Sequence, residues 1–209
     1  MLIGQDSVAV AVLVSGNGTN LQALIDAQAK GALGRGKIVK VIASRADANA
    51  LNRAEKAGIE TAVVERKNYT CAEDFNEAIL SVLQGCGAEL VVLAGFMSIL
   101  GQKVIEKYKD KIINVHPALI PSFCGKGYYG LKVHEEALKK GVKITGATVH
   151  FVNEIPDGGK IILQKAVEVL DNDTPESLQR RVMEQAEWEL LPKAVARLCE
   201  EYNPVSKDE

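Results

Sequence analysis

Apolar runs and polar breaks follow one another along this chain at the spacing of strands and helices. Ser7–Val14 is a continuous valine-rich run, the pattern of a strand buried on both faces. Gly16-Asn17-Gly18 breaks it, and Thr19 or Asn20 is placed to cap a helix running through Leu21, Leu24 and Ile25. Lys37–Ser44 reads as a second strand, Ala46–Ala57 as a helix stopped by Gly58, and Glu60–Glu65 as a short third strand. Ala72–Leu83 is helical and ends near Gly85 and Gly87; Glu89–Ala94 is a fourth strand, closed by Gly95. Strands alternating with helices predict βαβ units and a mostly parallel α/β sheet.

The second half changes character. Lys103–Tyr108 fits a short helix and Lys111–Val115 a fifth strand. Pro117 to Gly130 is rich in proline and glycine and reads as a long functional loop. Val133–Lys140 is helical up to Gly141. Ala147–Val152 and Ile161–Val169 are β-rich with Asp157-Gly158-Gly159 between them, which predicts an antiparallel hairpin. Thr174-Pro175-Glu176-Ser177 is a helix start, a capping threonine followed by proline in the first turn. That helix runs through Leu178, Val182, Trp188, Leu191, Val195 and Leu198, with Pro192 expected to kink or divide it. No internal repeat or interdomain linker interrupts the chain, so a single domain with its core over about 7–198 and a short polar tail after Tyr202 is expected.

Composition narrows the function classes. The chain has 209 residues, 47% hydrophobic and 25% charged, with a net charge of −2, which gives no electrostatic reason to expect nucleic acid or an acidic membrane as partner. Cys71, Cys86, Cys124 and Cys199 form no CxxC or Cys/His cluster, which argues for free thiols in a reducing compartment and against structural zinc; no metal is expected. Residues Met1 to Asp6 lack a secretory signal pattern and Val8–Val14 is too short to span a bilayer, so a cytoplasmic location is expected.

The candidate chemistry sits at predicted strand ends. Ile112-Ile113-Asn114-Val115-His116-Pro117 is an apolar strand that finishes in Asn-x-His. Residues two apart on a strand point the same way, so Asn114 and His116 share a face. An amide donor suits a developing oxyanion, and an imidazole donates or moves protons near neutral pH. Asp157 can orient His116 and relay a proton. Against this stands the bland reading, a structural histidine and an Asp-Gly-Gly turn; the pair's place at the C-terminal end of a strand favours a site. Ser15-Gly16-Asn17-Gly18-Thr19-Asn20 is either a phosphate-binding glycine turn at a helix N-terminus or a tight turn without a ligand. Gly95-Phe96-Met97-Ser98-Ile99-Leu100 offers an apolar slot for a flat ring, or begins the next helix in the core. His150 either faces the site or completes its strand, and His134 reads as structural. Lys126, Tyr128 and Tyr129 either close over a ligand or stand in solvent.

Taken together, these residues resemble the phosphoribosylglycinamide formyltransferases. The resemblance runs from about Ser7 to Leu198. It is carried by Ser15–Gln22 (SGNGTNLQ), Leu93–Leu100 (LAGFMSIL), Ile113–Pro121 (INVHPALIP), Gly146–Asp157 (GATVHFVNEIPD) and Ile161–Gln164 (IILQ), in the family's order. It implies a Rossmann-like, seven-stranded, mostly parallel sheet with helices on both faces. It also implies transfer of a formyl group from 10-formyltetrahydrofolate, as cosubstrate, to the amine of glycinamide ribonucleotide, without metal or covalent enzyme intermediate. By resemblance, Asn114 and His116 stabilise the oxyanion, Asp157 orients His116 and assists proton transfer, and the turn from Ser15 to Asn20 holds the phosphate. Glu187 matches the family's ribose-binding glutamate. Met97, Ser98, Ile99, Leu100, Asn114, Ile155, Pro156 and Asp157 would line the folate pocket, with His150 and Thr148 behind the catalytic residues. The implied partners are these small molecules, and the chain fits a monomer or a homodimer.

Three departures stand out. Ser98 occupies the place of an arginine common in the family. Phe123-Cys124-Gly125 replaces the usual Phe-Pro-Gly and is followed by an inserted Lys126–Gly130. Trp188 follows Glu187 where the family more often has histidine. Two rival readings are a formyltetrahydrofolate hydrolase and a non-catalytic folate- or nucleotide-binding protein on the same fold.

Overall fold

A computed structural model describes residues 7–202. Seven strands, β1 (Val8–Val14), β2 (Gly36–Ala43), β3 (Glu60–Val63), β4 (Leu90–Leu93), β5 (Ile112–His116), β6 (Ile144–Phe151) and β7 (Ile161–Glu168), form a sheet in the order β3-β2-β1-β4-β5-β6-β7. The pairs among β1 to β5 are parallel, whereas β5–β6 and β6–β7 are antiparallel. The α/β class, the mostly parallel sheet and the hairpin are as the sequence predicts. The chain leaves β1 for β2 on one side and returns to β4 on the other, so the order reverses between β1 and β4. Open sheets of this kind bind ligands in the crevice beyond the strand ends at that reversal.

The helices are α1 (Thr19–Ala29), α2 (Asn49–Lys56), α3 (Ala72–Gly85), α4 (Gln102–Lys107), α5 (Leu131–Lys140), α6 (Pro175–Val182) and α7 (Trp188–Glu201). Period-two alternation on β1 separates two cores. Val8, Val10, Val12 and Val14 pack with Leu21 and Leu24 of α1, Leu178 of α6 and Leu191 and Val195 of α7. Ala11 and Leu13 face the other way, against Phe75, Ile79 and Leu83 of α3 and Val104 of α4. Fully burying each such aliphatic side chain contributes about 1.5–3 kcal/mol. The sheet is therefore clamped on both faces, and only its ends are open for chemistry.

Three details differ from expectation. Helix α1 is capped by Gly18, not by Thr19 or Asn20, which both lie inside the helix. Gly18 has φ +73°, and a Cβ there would stand 2.6 Å from the Ala50 Cβ, so only glycine fits the turn. Pro192 does not divide the C-terminal helix. The interruption lies upstream, in a π-helical turn over Met183–Glu187, while Pro192 sits in the second turn of α7. Strand β6 begins at Ile144, ahead of the predicted Ala147; Gly146 lies so close to the Lys165 carbonyl that a Cβ would be 2.0 Å from it. The predicted polar tail falls outside the described residues.

Beyond β7, Asp173 receives both terminal nitrogens of Arg181 at 2.5 Å. Thr174 and Ser177 close a capping box at the start of α6. This junction sets the direction of α6 and of the π turn that follows it. Among the described residues, no helix is long and apolar enough to cross a membrane.

Candidate active site

Strand β5 carries Ile112, Asn114 and His116 on one face and sends Ile113 and Val115 into the core on the other. Across the antiparallel ladder, Asn114 pairs with His150 and His116 with Thr148, so these four side chains share a face. Thr148 Oγ1 donates to the Ala118 carbonyl at 2.6 Å and accepts from Ile120 N–H at 3.1 Å, fixing the chain as it leaves β5. Asp157 comes from the β6–β7 connection. Its φ of +56° is an uncommon conformation for a non-glycine residue. Gly158 N–H closes the turn on the Ile155 carbonyl at 2.9 Å. Gly159 passes so close to the Phe151 carbonyl that a Cβ would lie 1.7 Å from it.

Hydrogen bonding decides where the protons sit. His116 Nε2 lies 2.8 Å from the Phe123 carbonyl and His150 Nδ1 lies 2.8 Å from the Phe151 carbonyl. A carbonyl only accepts, so each of these ring nitrogens carries its hydrogen. In the neutral rings the other nitrogens are then bare, and both face Asp157: His116 Nδ1 at 3.5 Å from Oδ2 and His150 Nε2 at 3.5 Å from Oδ1. Asn114 Nδ2 reaches His150 Nε2 at 3.3 Å, and Gly125 N–H donates to Asp157 Oδ2 at 2.8 Å. A carboxylate set between two imidazole lone pairs is a place for an incoming proton.

Burial pushes His116 below its usual range despite the opposing pull of Asp157. For Asp157, burial raises the carboxyl, but hydrogen bonds from His150 and Gly125 and the histidine charges outweigh it and hold it low. His150 donates to Asp157 only when its Nε2 carries a hydrogen. At neutral pH the resting arrangement is a neutral His116 beside an ionised Asp157.

The glycine turn lies at the neighbouring end of β1. Ala50 N–H donates to the Gly16 carbonyl at 3.1 Å, Arg53 Nε to the Asn17 carbonyl at 2.8 Å, and Asn49 to Asn17 Oδ1 at 2.9 Å. With its carbonyls so engaged, the turn faces outward with the N-terminus of α1, whose N–H groups meet no side-chain cap and favour an anion. Asn20 Nδ2 donates to Glu187 Oε2 at 2.7 Å. Glu187 is only 6% exposed, and burial pushes its carboxyl up to about 7 against the pull of Asn20. The π turn ending at Glu187 aims it at Asn20, and π turns inside helices often mark functional positions.

Two cavities meet at this centre. One of about 690 Å³ is lined by Gly16 to Asn20, Asn114, His116, Asp157 and Glu187. The other, about 170 Å³, is largely apolar and lined by Leu93, Phe96, Ile99, Leu100, Val152, Ile155 and Pro156 with Ser98 and His150. Phe96, Asn114 and Asp157 belong to both walls. Residues 8–195 match the family model described as formyl transferase. The chain belongs to the formyl transferase family.

Its relatives within the family are named for a formyl transfer or for purine biosynthesis. The chain is 42% identical over 186 residues to a phosphoribosylglycinamide formyltransferase of Haemophilus influenzae, covering 89% of this chain and 84% of that one. It is 44% identical to the trifunctional purine biosynthetic protein adenosine-3 of Gallus gallus, over 92% of this chain but only 18% of that protein. The crystal structure of a glycinamide ribonucleotide transformylase from Symbiobacterium toebii superposes with a TM-score of 0.88 at 38% identity, covering 94% of this chain and 90% of the other.

Asn114, His116 and Asp157 are brought together by the formyl transferase fold, and Glu187, Thr19 and Asn20 reach the same cavity. Two expected residues lie elsewhere. The Ser15 hydroxyl is engaged with Ser44 Oγ at 2.6 Å and Met97 N–H at 2.8 Å, and Ser15 is not on the wall of the larger cavity. Met97 is on that wall, not on the smaller apolar one. Gln179, Met183 and His134 also line the larger cavity and carried no expectation as site residues. Gln179 and Met183 precede Glu187 at steps of four, so helical spacing marks them as its neighbours. His134 is fully buried with both ring nitrogens unpartnered, and burial drives it down to about 4. Nothing in its own helix announces that placement.

Proposed function

We propose that the chain transfers a formyl group from 10-formyltetrahydrofolate to the primary amine of glycinamide ribonucleotide; its likeness to a protein named phosphoribosylglycinamide formyltransferase supports this reading. The observation that carries this reading is the placement of Asn114, His116 and Asp157 where a polar cavity and an apolar one meet. The larger cavity offers the α1 N-terminus for a phosphate and the Glu187 carboxyl for ribose hydroxyls. The smaller suits a flat pterin, so the formyl group on N10 comes to lie between the two.

The amine nitrogen attacks the formyl carbon, and the carbonyl π pair moves onto oxygen. Asn114 Nδ2 is the neutral donor at hand for that oxyanion. Losing one such donor costs about 2.7–4 kcal/mol of barrier stabilisation. The new bond leaves the amine nitrogen cationic, and the bare His116 Nδ1, backed by Asp157, receives its proton. Collapse of the intermediate re-forms the carbonyl and breaks the bond from carbon to N10, which takes up the proton held by His116 as it leaves and returns the ring to its neutral form. His116 is held by the Phe123 carbonyl through Nε2, so here it serves as proton acceptor. Donation to the oxyanion, its other expected role, requires that contact to open.

Asp157→Asn and His116→Ala are expected to lose most turnover, at least a hundredfold, while keeping the wild-type melting temperature within a few degrees. Steady-state assays on purified, folded variants check this. Wild-type turnover in either would remove the group from the mechanism.

A further inference from the structure

The larger cavity has an unusual charge inventory for the ligand proposed above. Its wall carries the carboxyls of Asp157 and Glu187 but no lysine or arginine. A phosphate there must be held by neutral donors, and the glycine turn with α1 supplies them from one segment only. The inserted segment Lys126–Gly130, where this chain departs from its family resemblance, supplies more. Tyr128 and Tyr129 both lie on the cavity wall. Neither hydroxyl has a hydrogen-bond partner among the described residues.

The two tyrosines are differently placed. The Tyr128 ring packs edge-on against Phe123, with centroids 6.3 Å apart, and its N–H donates to the Gly125 carbonyl at 3.1 Å. Phe123 and Gly125 in turn hold His116 and Asp157 through their main-chain groups. Tyr128 therefore belongs to the scaffold of the loop. Tyr129 makes no such ring contact and is 59% exposed. Gly127 and Gly130 flank the pair with φ of +93° and +57°, conformations that favour glycine. An exposed aromatic with a free hydroxyl on the wall of a cation-poor anion site is poorly explained as packing.

Resting on the reading of the site as a ribonucleotide pocket, we propose that Tyr129 is a phosphate-recognition residue. Its phenolic hydroxyl donates to a phosphate oxygen of the ribonucleotide, complementing the N–H groups of the glycine turn. Recognition of the phosphate is thereby divided between the N-terminus of α1 and the Lys126–Gly130 insert.

The test compares wild type with Tyr129→Phe, which keeps the ring and removes only the donor. Binding of glycinamide ribonucleotide, its dephosphorylated riboside and ribose 5-phosphate is measured by calorimetry. A hydrogen bond to a charged group supports a loss of roughly tenfold or more for the two phosphorylated ligands. The riboside should bind both proteins equally, and Lys126→Ala, which alters the insert's charge away from the cavity wall, should bind all three as wild type does. Equal weakening of phosphorylated and unphosphorylated ligands, no weakening at all, or a phosphate-specific loss in Lys126→Ala instead would each overturn the proposal. So would a wild-type protein that binds no ribose 5-phosphate. Failure of formyl transfer with ribose 5-phosphate binding intact would count against the proposed reaction and leave the role of Tyr129 standing.

Discussion

Glu187 shows at the scale of one residue how the proposed ribose contact would oppose stability. Its carboxyl is buried, bonded to Asn20 and raised from 4.5 to about 7. Between those two values the folded protein holds a proton that the unfolded chain has released, so stability falls as pH rises through the window and levels off above it. The burden at alkaline pH is on the order of 3 kcal/mol. Glu187→Gln keeps an acceptor for Asn20 and cannot ionise. Chemical denaturation near pH 8 should find the variant more stable than wild type, with the advantage shrinking toward pH 5. The same variant should bind the ribonucleotide more weakly, because an amide accepts from only one of its two polar atoms. A variant less stable near pH 8 would mean that the carboxylate is already well solvated in the fold.

At the scale of elements, the site depends on how β5, the β6–β7 connection and the π turn are cut and aimed. The pattern of Ile112 to His116 gave both the strand and the shared face of its polar residues, because alternation on a strand is unambiguous. Gly158 and Gly159 marked a turn, but not that Gly159 passes under the Phe151 carbonyl. Gly159→Ala should therefore shift the connection and displace Asp157 from His116 and His150. We expect turnover to fall at least tenfold and folate affinity with it, while the far-UV spectrum stays native; unchanged kinetics would show that the turn tolerates a side chain. Side-chain rules favour Thr19 or Asn20 as the cap of α1, whereas the left-handed Gly18 pressed against Ala50 decides the turn. The π turn at Met183–Glu187 leaves no local mark in the sequence, whereas the visible breaker, Pro192, lies downstream of it inside a continuous helix. Ser15 looked like part of the phosphate turn by adjacency alone; its bonds to Ser44 and Met97 are contacts across strands that no local pattern encodes.

For the whole molecule, the strand order places the ends of β1, β4 and β5 side by side, and the two cavities follow from that placement. The glycine turn after β1, the apolar segment after β4 and the Asn-x-His end of β5 are far apart in sequence and adjacent in space. Alternating patterns and a few motifs put each motif at a strand end, whereas the order that sets those ends side by side appears only in the folded sheet. Distances, tautomers and the buried His134 came only with packing. The central claim is a direct transfer between two bound small molecules, with His116 and Asp157 taking the proton. The most direct measurement supplies 10-formyltetrahydrofolate labelled with 13C at the formyl carbon and follows the label by NMR, with and without glycinamide ribonucleotide. The account predicts that label appears in the formylated ribonucleotide only when the amine is present, with no free formate, and that Asp157→Asn stops the transfer. Label released as formate without the amine, or unmoved from the folate when both substrates are present, would contradict it.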